Sequence, residues 1–99
     1  MRRFRVMLNG APVFLQDADT QKVDRFGFYT TRWIRAASAK DAEDLACRMV
    51  LDEFTRTGTK NPPDQPIQVA AEEVVEVSWF EMARRAPGGG FAFYPDDAS

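Results

Sequence analysis

The chain has 99 residues, no histidine, a single cysteine (Cys47) and a formal net charge of −2. Without histidine it cannot assemble a Ser-His-Asp or Cys-His catalytic group, and one cysteine cannot supply the ligands of a typical zinc site. We therefore expect a protein that is not an enzyme and that holds no metal and no cofactor. Its length predicts one α+β domain over residues 1–95, followed by a frayed tail at 96–99.

The N-terminal segment does not have the pattern of an export signal. Arg2 and Arg3 precede several apolar residues, but Asn9, Gly10 and Pro12 interrupt the apolar run that a signal peptide needs. With only one cysteine the chain has no internal disulfide, which is typical of a reducing compartment. The sequence therefore predicts a cytoplasmic protein without membrane association.

Residues 4–8 predict a half-buried strand, because Phe4, Val6 and Leu8 share one face and the other face has Arg3, Arg5 and Met7. Asn9-Gly10 is a typical turn sequence, so we expect the strand to end there and a short edge strand to follow at 13–15. Residues 16–25 are polar and predict a loop. Residues 26–37 are rich in aromatic and β-branched side chains and predict the strongest strand of the chain, with large apolar groups on both faces.

A helix is predicted to begin after Ser38 and to end near Thr57. Ser38 can cap the first turn together with Asp41, and apolar residues then recur at helical spacing as far as Phe54. Gly58 can adopt the left-handed conformation that ends many helices.

The C-terminal part is predicted to contribute two further strands. After a proline-rich connector at 60–66, residues 67–81 alternate again and predict one bent strand, or two strands broken near Glu72–Glu73. A helix from Ala70 to Arg85 is the competing interpretation. Residues 86–90 predict a turn and residues 91–94 a last strand.

The predicted order is β-β-α-β-β. It favours a curled, mainly antiparallel sheet of four or five strands with one packed helix. A small, strongly bent, barrel-like sheet with one helix is the alternative.

One face of this sheet is the candidate binding surface. If the apolar parity of the first strand faces the helix, the other parity exposes basic and aromatic side chains together: Arg3, Arg5, Tyr29, Trp33 and Arg35. Tryptophan, tyrosine and arginine are enriched in protein interfaces, so we expect a small binding or assembly module that self-associates, most simply as a dimer. The same residue types can stack bases and neutralise phosphates, so an RNA- or single-stranded-DNA-binding domain is the alternative.

A second candidate feature is a charged residue on the apolar face of each of two predicted strands. Arg32 and Glu73 interrupt the apolar parity of their strands, and a buried charge is tolerated when it is paired. We therefore hypothesise an Arg32–Glu73 ion pair, with a β-bulge that turns the charge to solvent as the alternative. An enzyme using these groups would require a pocket that contains one of them.

The charge distribution along the chain is uneven. Residues 1–35 contain seven basic and three acidic side chains, whereas residues 36–99 contain six basic and twelve acidic ones. Such a division permits contact between copies of the chain, or contact of a basic surface with an anionic partner.

Overall fold

The computed structural model describes residues 1–84 and 90–96. Its elements are β1 (Arg2–Gln16), β2 (Val23–Ala36), α1 (Ala39–Thr57), β3 (Gln68–Glu76), α2 (Trp79–Ala83) and β4 (Phe91–Pro95). The strands form one antiparallel sheet in the order β3-β1-β2-β4. The predicted α+β class, with a four-stranded antiparallel sheet and one packed helix, is confirmed. The sheet is open and not strongly curled, so the barrel-like alternative is wrong.

The central hairpin of β1 and β2 differs from the prediction at Gly10. β1 does not turn there but continues to Gln16, with a shift in its pairing to β2 between Gly10 and Val13. A Cβ at position 10 would lie 2.5 Å from Cε1 of Phe28 and 2.9 Å from the carbonyl oxygen of Gln68. Gly10 is therefore required for the close approach of neighbouring strands and not for a turn.

The turn between β1 and β2 is shorter than the predicted loop and occupies residues 17–22. Oδ1 of Asp17 accepts hydrogen bonds from the backbone N–H of Asp19 at 2.8 Å and of Thr20 at 3.0 Å. Both bonds lower the pKa of the Asp17 carboxyl, and the bond from Thr20 has the larger effect. The side chain thus replaces backbone hydrogen bonds within the turn.

Helix α1 has the predicted limits. The Ser38 hydroxyl accepts a hydrogen bond from the Asp41 N–H at 3.2 Å. At the other end Gly58 has φ 80° and its N–H donates to the Phe54 carbonyl at 3.0 Å. Both caps are those expected from the sequence.

The core lies between α1 and one face of the sheet. Its largest fully buried side chains are Phe4, Phe28 and Leu8. The helix contributes Ala42, Ala46, Val50 and Phe54. The opposite side of the sheet, which faces away from α1, is called the open face below.

The chain after β3 differs from the predicted strand. β3 ends at Glu76, and the predicted strand at 67–81 is wrong beyond that point because a short helix, α2, begins after Ser78. β4 confirms the strand expected at 91–94. The predicted turn at 86–90 lies outside the described residues except for Gly90.

The C-terminal residue of the described chain is held to the sheet. The Asp96 N–H donates to the Arg25 carbonyl at 3.1 Å, and Arg25 Nε donates to Asp96 Oδ2 at 2.9 Å. Position 96 is therefore attached, and the rest of the predicted tail, 97–99, lies outside the described residues. Within the described ranges neither helix has the length and apolar character needed to cross a membrane.

Candidate functional site

The open face contains the five residues that the sequence singled out. The β1–β2 register places Arg3 opposite Arg35 and Arg5 opposite Trp33. Tyr29 lies four residues before Trp33 in β2 and therefore points to the same side. The structure thus brings the five side chains onto one surface, and their use in binding stays a prediction.

Arg5, at the centre of this surface, is already engaged by carboxylates. Its Nη1 donates to Glu81 Oε1 at 3.0 Å and its Nη2 to Glu73 Oε1 at 3.5 Å. Its guanidinium carbon also lies 6.0 Å from the centroid of the Trp33 ring. The positive charge of Arg5 is therefore balanced within the chain, and neither carboxylate was predicted to contact it.

Arg3 and Arg35 form the unbalanced part of the open face. They are directly opposite each other, and within residues 1–84 and 90–96 neither has a carboxylate within ion-pair distance. Nε of Arg3 is buried and has no hydrogen-bond partner in this part of the chain. Like charges on opposed cross-strand residues repel, so this end of the face is suited to a carboxylate or phosphate from another molecule.

Tyrosines cover the other end of the open face. The rings of Tyr29 and Tyr94 have centroids 5.3 Å apart, and Tyr29 is 47% exposed. Asn9 Nδ2 donates to Tyr94 Oη at 2.8 Å and to the Phe28 carbonyl at 3.0 Å. A Cβ at Gly27 would lie 2.3 Å from Cζ of Tyr94. Gly27 therefore allows the Tyr94 ring to lie flat on the sheet.

Helix α2 adds a pocket beside Trp33. The Ser78 hydroxyl accepts a hydrogen bond from the Glu81 N–H at 3.1 Å, and Met82 is only 4% exposed, so the helix is capped and anchored. A pocket of about 480 Å³ lies between the helix and the sheet, lined by Trp33, Ser78, Phe80, Glu81 and Arg84. The capping-box sequence Ser78-x-x-Glu81 was the signal by which sequence analysis could have found this helix.

The hypothesised ion pair of Arg32 with Glu73 is not formed, because the two side chains lie on opposite faces of the sheet. Arg32 is 6% exposed on the helix side and donates to Glu53 of α1 at 2.6 Å and 2.9 Å. Glu73 is exposed on the open face because the pairing of β1 with β3 shifts between Met7 and Leu8. The bulge alternative is therefore correct for Glu73, whereas Arg32 is buried and paired with a different acid.

Hydrogen bonding by Arg32 is the main influence that lowers the pKa of the Glu53 carboxyl. The Arg32 guanidinium carbon also lies 5.2 Å from the centroid of the Phe91 ring. This constellation connects β2, α1 and β4 and is structural. Neither Arg32 nor Glu73 lines the pocket beside Trp33, so that pocket does not support the enzyme alternative.

Searches against protein-family models, curated proteins and solved structures find no match to this chain. Within the described part of the chain no three cysteine or acidic side chains are grouped so that they could hold a metal ion. The open face offers flat aromatic rings, two unbalanced arginines and two carboxylates. These groups suit binding by stacking, apolar contact and ion pairing.

Proposed function

We propose that this chain is a non-catalytic binding or assembly module that forms a homodimer through its open face. The observation that carries the proposal is the exposure of large aromatic side chains on this face and on the adjoining α2. Tyr29 is 47% exposed, Trp79 61% and Phe80 59%. Monomers rarely expose adjoining apolar groups of this size, and larger patches usually mark a contact with a partner.

The charges of the open face favour a second copy of the chain as that partner. Arg3 and Arg35 lack a carboxylate among the described residues, whereas Glu73 has only a long contact of 3.5 Å to Arg5. In a two-fold symmetric dimer the same surface is used by both copies, so the basic end of one copy can meet the acidic part of the other. Surfaces with both signs of charge are complementary to themselves in this arrangement.

The size of the molecule is compatible with a stable dimer. The protein measures 45 × 26 × 24 Å, and the open face is one side of its four-stranded sheet. Specific dimers bury about 800 Å² on each partner, which is less than the area of such a face.

Sedimentation over a range of protein concentrations tests the proposal. We expect a monomer of 11.2 kDa in dilute samples and a species of twice that mass at about 100 µM, a concentration well above the micromolar dissociation constants at the weak end for interfaces of this size. Tyr29→Glu should prevent the increase in mass because it places a charge within the proposed contact, where Tyr29 is 47% exposed. Met7→Glu is a second test on the same face, since Met7 is 38% exposed.

The matched control is Leu51→Glu. Leu51 is 37% exposed but lies on α1, on the opposite side of the molecule from the open face. It should leave the dimer intact, and circular dichroism checks that each variant is folded. A wild-type chain that stays monomeric, or equal loss of mass with Leu51→Glu, contradicts the proposal.

Binding of single-stranded nucleic acid is the alternative outcome. Arg5 is balanced by Glu73 and Glu81, and carboxylates repel phosphates, so the open face offers few free cations to a polyanion. Anisotropy of labelled mixed-sequence RNA and DNA at about 50 mM and about 200 mM salt distinguishes the two functions, because phosphate contacts weaken steeply with salt. Salt-sensitive oligonucleotide binding by a monomer would replace the self-association proposal.

A further inference from the structure

From the pocket between α2 and the sheet, we infer that the chain binds a small planar aromatic anion between Trp33 and Phe80, with the anionic group on Arg84. The pocket volume of about 480 Å³ falls within the range of about 300–1,000 Å³ that is usual for small-molecule sites. All of its lining residues belong to one chain. The pocket needs no second copy to be complete, but Trp33 and Phe80 also belong to the surface proposed for the dimer, so a ligand and a second copy would compete for them.

Two aromatic side chains supply the apolar walls. Trp33 belongs to the central strand β2 and is held by the sheet, while Phe80 stands on α2 and is 59% exposed. Met82, 4% exposed, fixes α2 against the rest of the chain, so the separation of the two rings does not depend on a loose segment. Both rings line the same pocket, and aromatic walls favour a flat aromatic ligand because it can stack on them.

Arg84 supplies the charge that selects an anion. Its guanidinium carbon lies 5.1 Å from the centroid of the Phe80 ring, and among the described residues no carboxylate forms an ion pair with it. An arginine stacked on a ring keeps its N–H groups in a plane, and these can donate two parallel hydrogen bonds to a carboxylate or phosphate. The aromatic body and the anionic group of the ligand would thus bind to adjacent parts of the same pocket.

Glu81, which also lines the pocket, does not remove the preference for an anionic ligand. Oε1 of Glu81 accepts from Arg5 Nη1 at 3.0 Å, so its negative charge is balanced within the chain. Of the two charged residues that line the pocket, Glu81 has a cationic partner in Arg5, whereas Arg84 has no carboxylate partner among the described residues. A cation of the same aromatic shape should therefore bind more weakly than the anion.

An aromatic carboxylate and a nucleotide share this chemistry, so both are tested. The chain has two tryptophans, and the indole N–H signals of Trp33 and Trp79 can be assigned in a ¹⁵N NMR spectrum with the Trp79→Phe variant. The full-length chain is titrated with naphthoate, with uridine monophosphate and with naphthylmethylammonium. Sedimentation of the same samples reports the oligomeric state, so failure of this inference is distinguishable from failure of the dimer proposal.

We expect at least one of the two anions to move the Trp33 signal saturably, with a dissociation constant of about 1 mM or lower, as expected for a ligand this small. Arg84→Gln should weaken that binding about tenfold, the loss expected from one charge-assisted contact at an exposed site. The control Arg48→Gln, which removes an exposed arginine of α1, should leave it unchanged. Phe80→Leu should weaken it about fivefold or more through lost stacking.

The relative affinity of the two anions identifies the source of the ligand. Tighter binding of uridine monophosphate points to a nucleotide, and tighter binding of naphthoate to an aromatic carboxylate. The inference is wrong if neither anion moves the Trp33 signal, if the ammonium probe binds as tightly as the anions, or if Arg84→Gln and Arg48→Gln have equal effects.

Discussion

Removal of the carboxylate that faces the buried arginine is the sharpest test of the packing described here. Arg32 is 6% exposed and donates to both oxygens of Glu53, at 2.6 Å and 2.9 Å. In Glu53→Ala the guanidinium remains between α1 and the sheet but loses both of these bonds. The cost is therefore that of a buried charge that has lost the carboxylate of Glu53, while the bond from Arg32 Nε to Thr30 Oγ1 at 3.3 Å remains.

The size of the expected loss in stability follows from how deeply Arg32 and Glu53 are buried. Removing one partner of a buried ion pair costs about 3–5 kcal/mol. The Glu53 side chain is 32% exposed, so water screens part of the interaction and can replace part of it. We expect a loss of about 2–3 kcal/mol in the free energy of unfolding, which for a domain of this size lowers Tm by about 10–15 °C.

Urea unfolding followed by circular dichroism, at neutral pH and a fixed protein concentration, measures this loss. The matched control is Asp44→Ala, which removes the acid of the exposed i,i+4 pair with Lys40, whose side chains are 74% and 51% exposed. Such an exposed pair is screened by water and contributes little to stability. Equal midpoints for Glu53→Ala and Asp44→Ala would refute the description of the Arg32–Glu53 pair as buried and stabilising.

The same pair predicts a pH dependence. Its hydrogen bonds hold the pKa of Glu53 below the ordinary value of about 4.3. A carboxyl whose pKa is lowered by folding contributes its full stabilisation above its unfolded pKa and loses it as the pH falls through the folded value. The difference in stability between wild type and Glu53→Gln should therefore narrow below about pH 4, and a constant difference would contradict this assignment.

Three further substitutions or reactions test other parts of the fold. Gly10→Ala should destabilise by about 1–3 kcal/mol in urea unfolding, because the new Cβ would lie 2.5 Å from the Phe28 ring. Ser38→Ala should cost about 1 kcal/mol in the same assay through loss of the helix cap, and no change would contradict the capping geometry. Burial is the main influence that raises the pKa of the Cys47 thiol. In the folded chain Cys47 should therefore react with iodoacetamide more slowly than it does in the unfolded chain.

Local signals made the helix and the division of the sheet into two faces predictable. Ser38 and Gly58 satisfy the free groups at the two ends of α1, and both act through neighbours in the sequence. The strict alternation of Phe4, Val6 and Leu8 fixes which side of β1 is buried, because a strand shows successive side chains to opposite faces. Such features depend on the residues themselves and not on the strand that pairs with them.

The prediction failed where one residue changes the register of a strand. Glu73 was assigned to the apolar face because Val69, Ala71 and Val75 share its parity. The bulge between Ala71 and Glu73 inserts one residue, so that Val74 packs on the core and Glu73 and Val75 turn to the open face. A bulge depends on the pairing partner, and the alternation within one strand cannot reveal it.

The turn predicted at Asn9-Gly10 was wrong for a related reason. The dipeptide is typical of hairpins when both residues adopt positive φ, but here it pairs with β2 on one side and β3 on the other. Asn9 donates to one group of β2 and one of β4, and Gly10 makes room for the Phe28 ring. An Asn-Gly dipeptide can thus lie either in a turn or inside a closely packed strand. Only the residues that surround it in the fold distinguish the turn from the strand.

The open face was predictable in composition but not in charge. Tyr29, Trp33 and the three arginines share a face through strand parity alone, whereas the acids that balance Arg5 lie 68 and 76 positions away in the sequence. One of them reaches the face through the bulge of β3, and the other through α2.

Without these acids, Arg3, Arg5 and Arg35 would form a cationic strip among aromatic rings, which suits a polyanion. With them, the centre of the face has two carboxylates around one arginine and only one end is basic, which suits a partner with both signs of charge. The balance of charge at Arg5, more than the aromatic pattern, is therefore what separates a protein-binding from a nucleic-acid-binding interpretation of this surface.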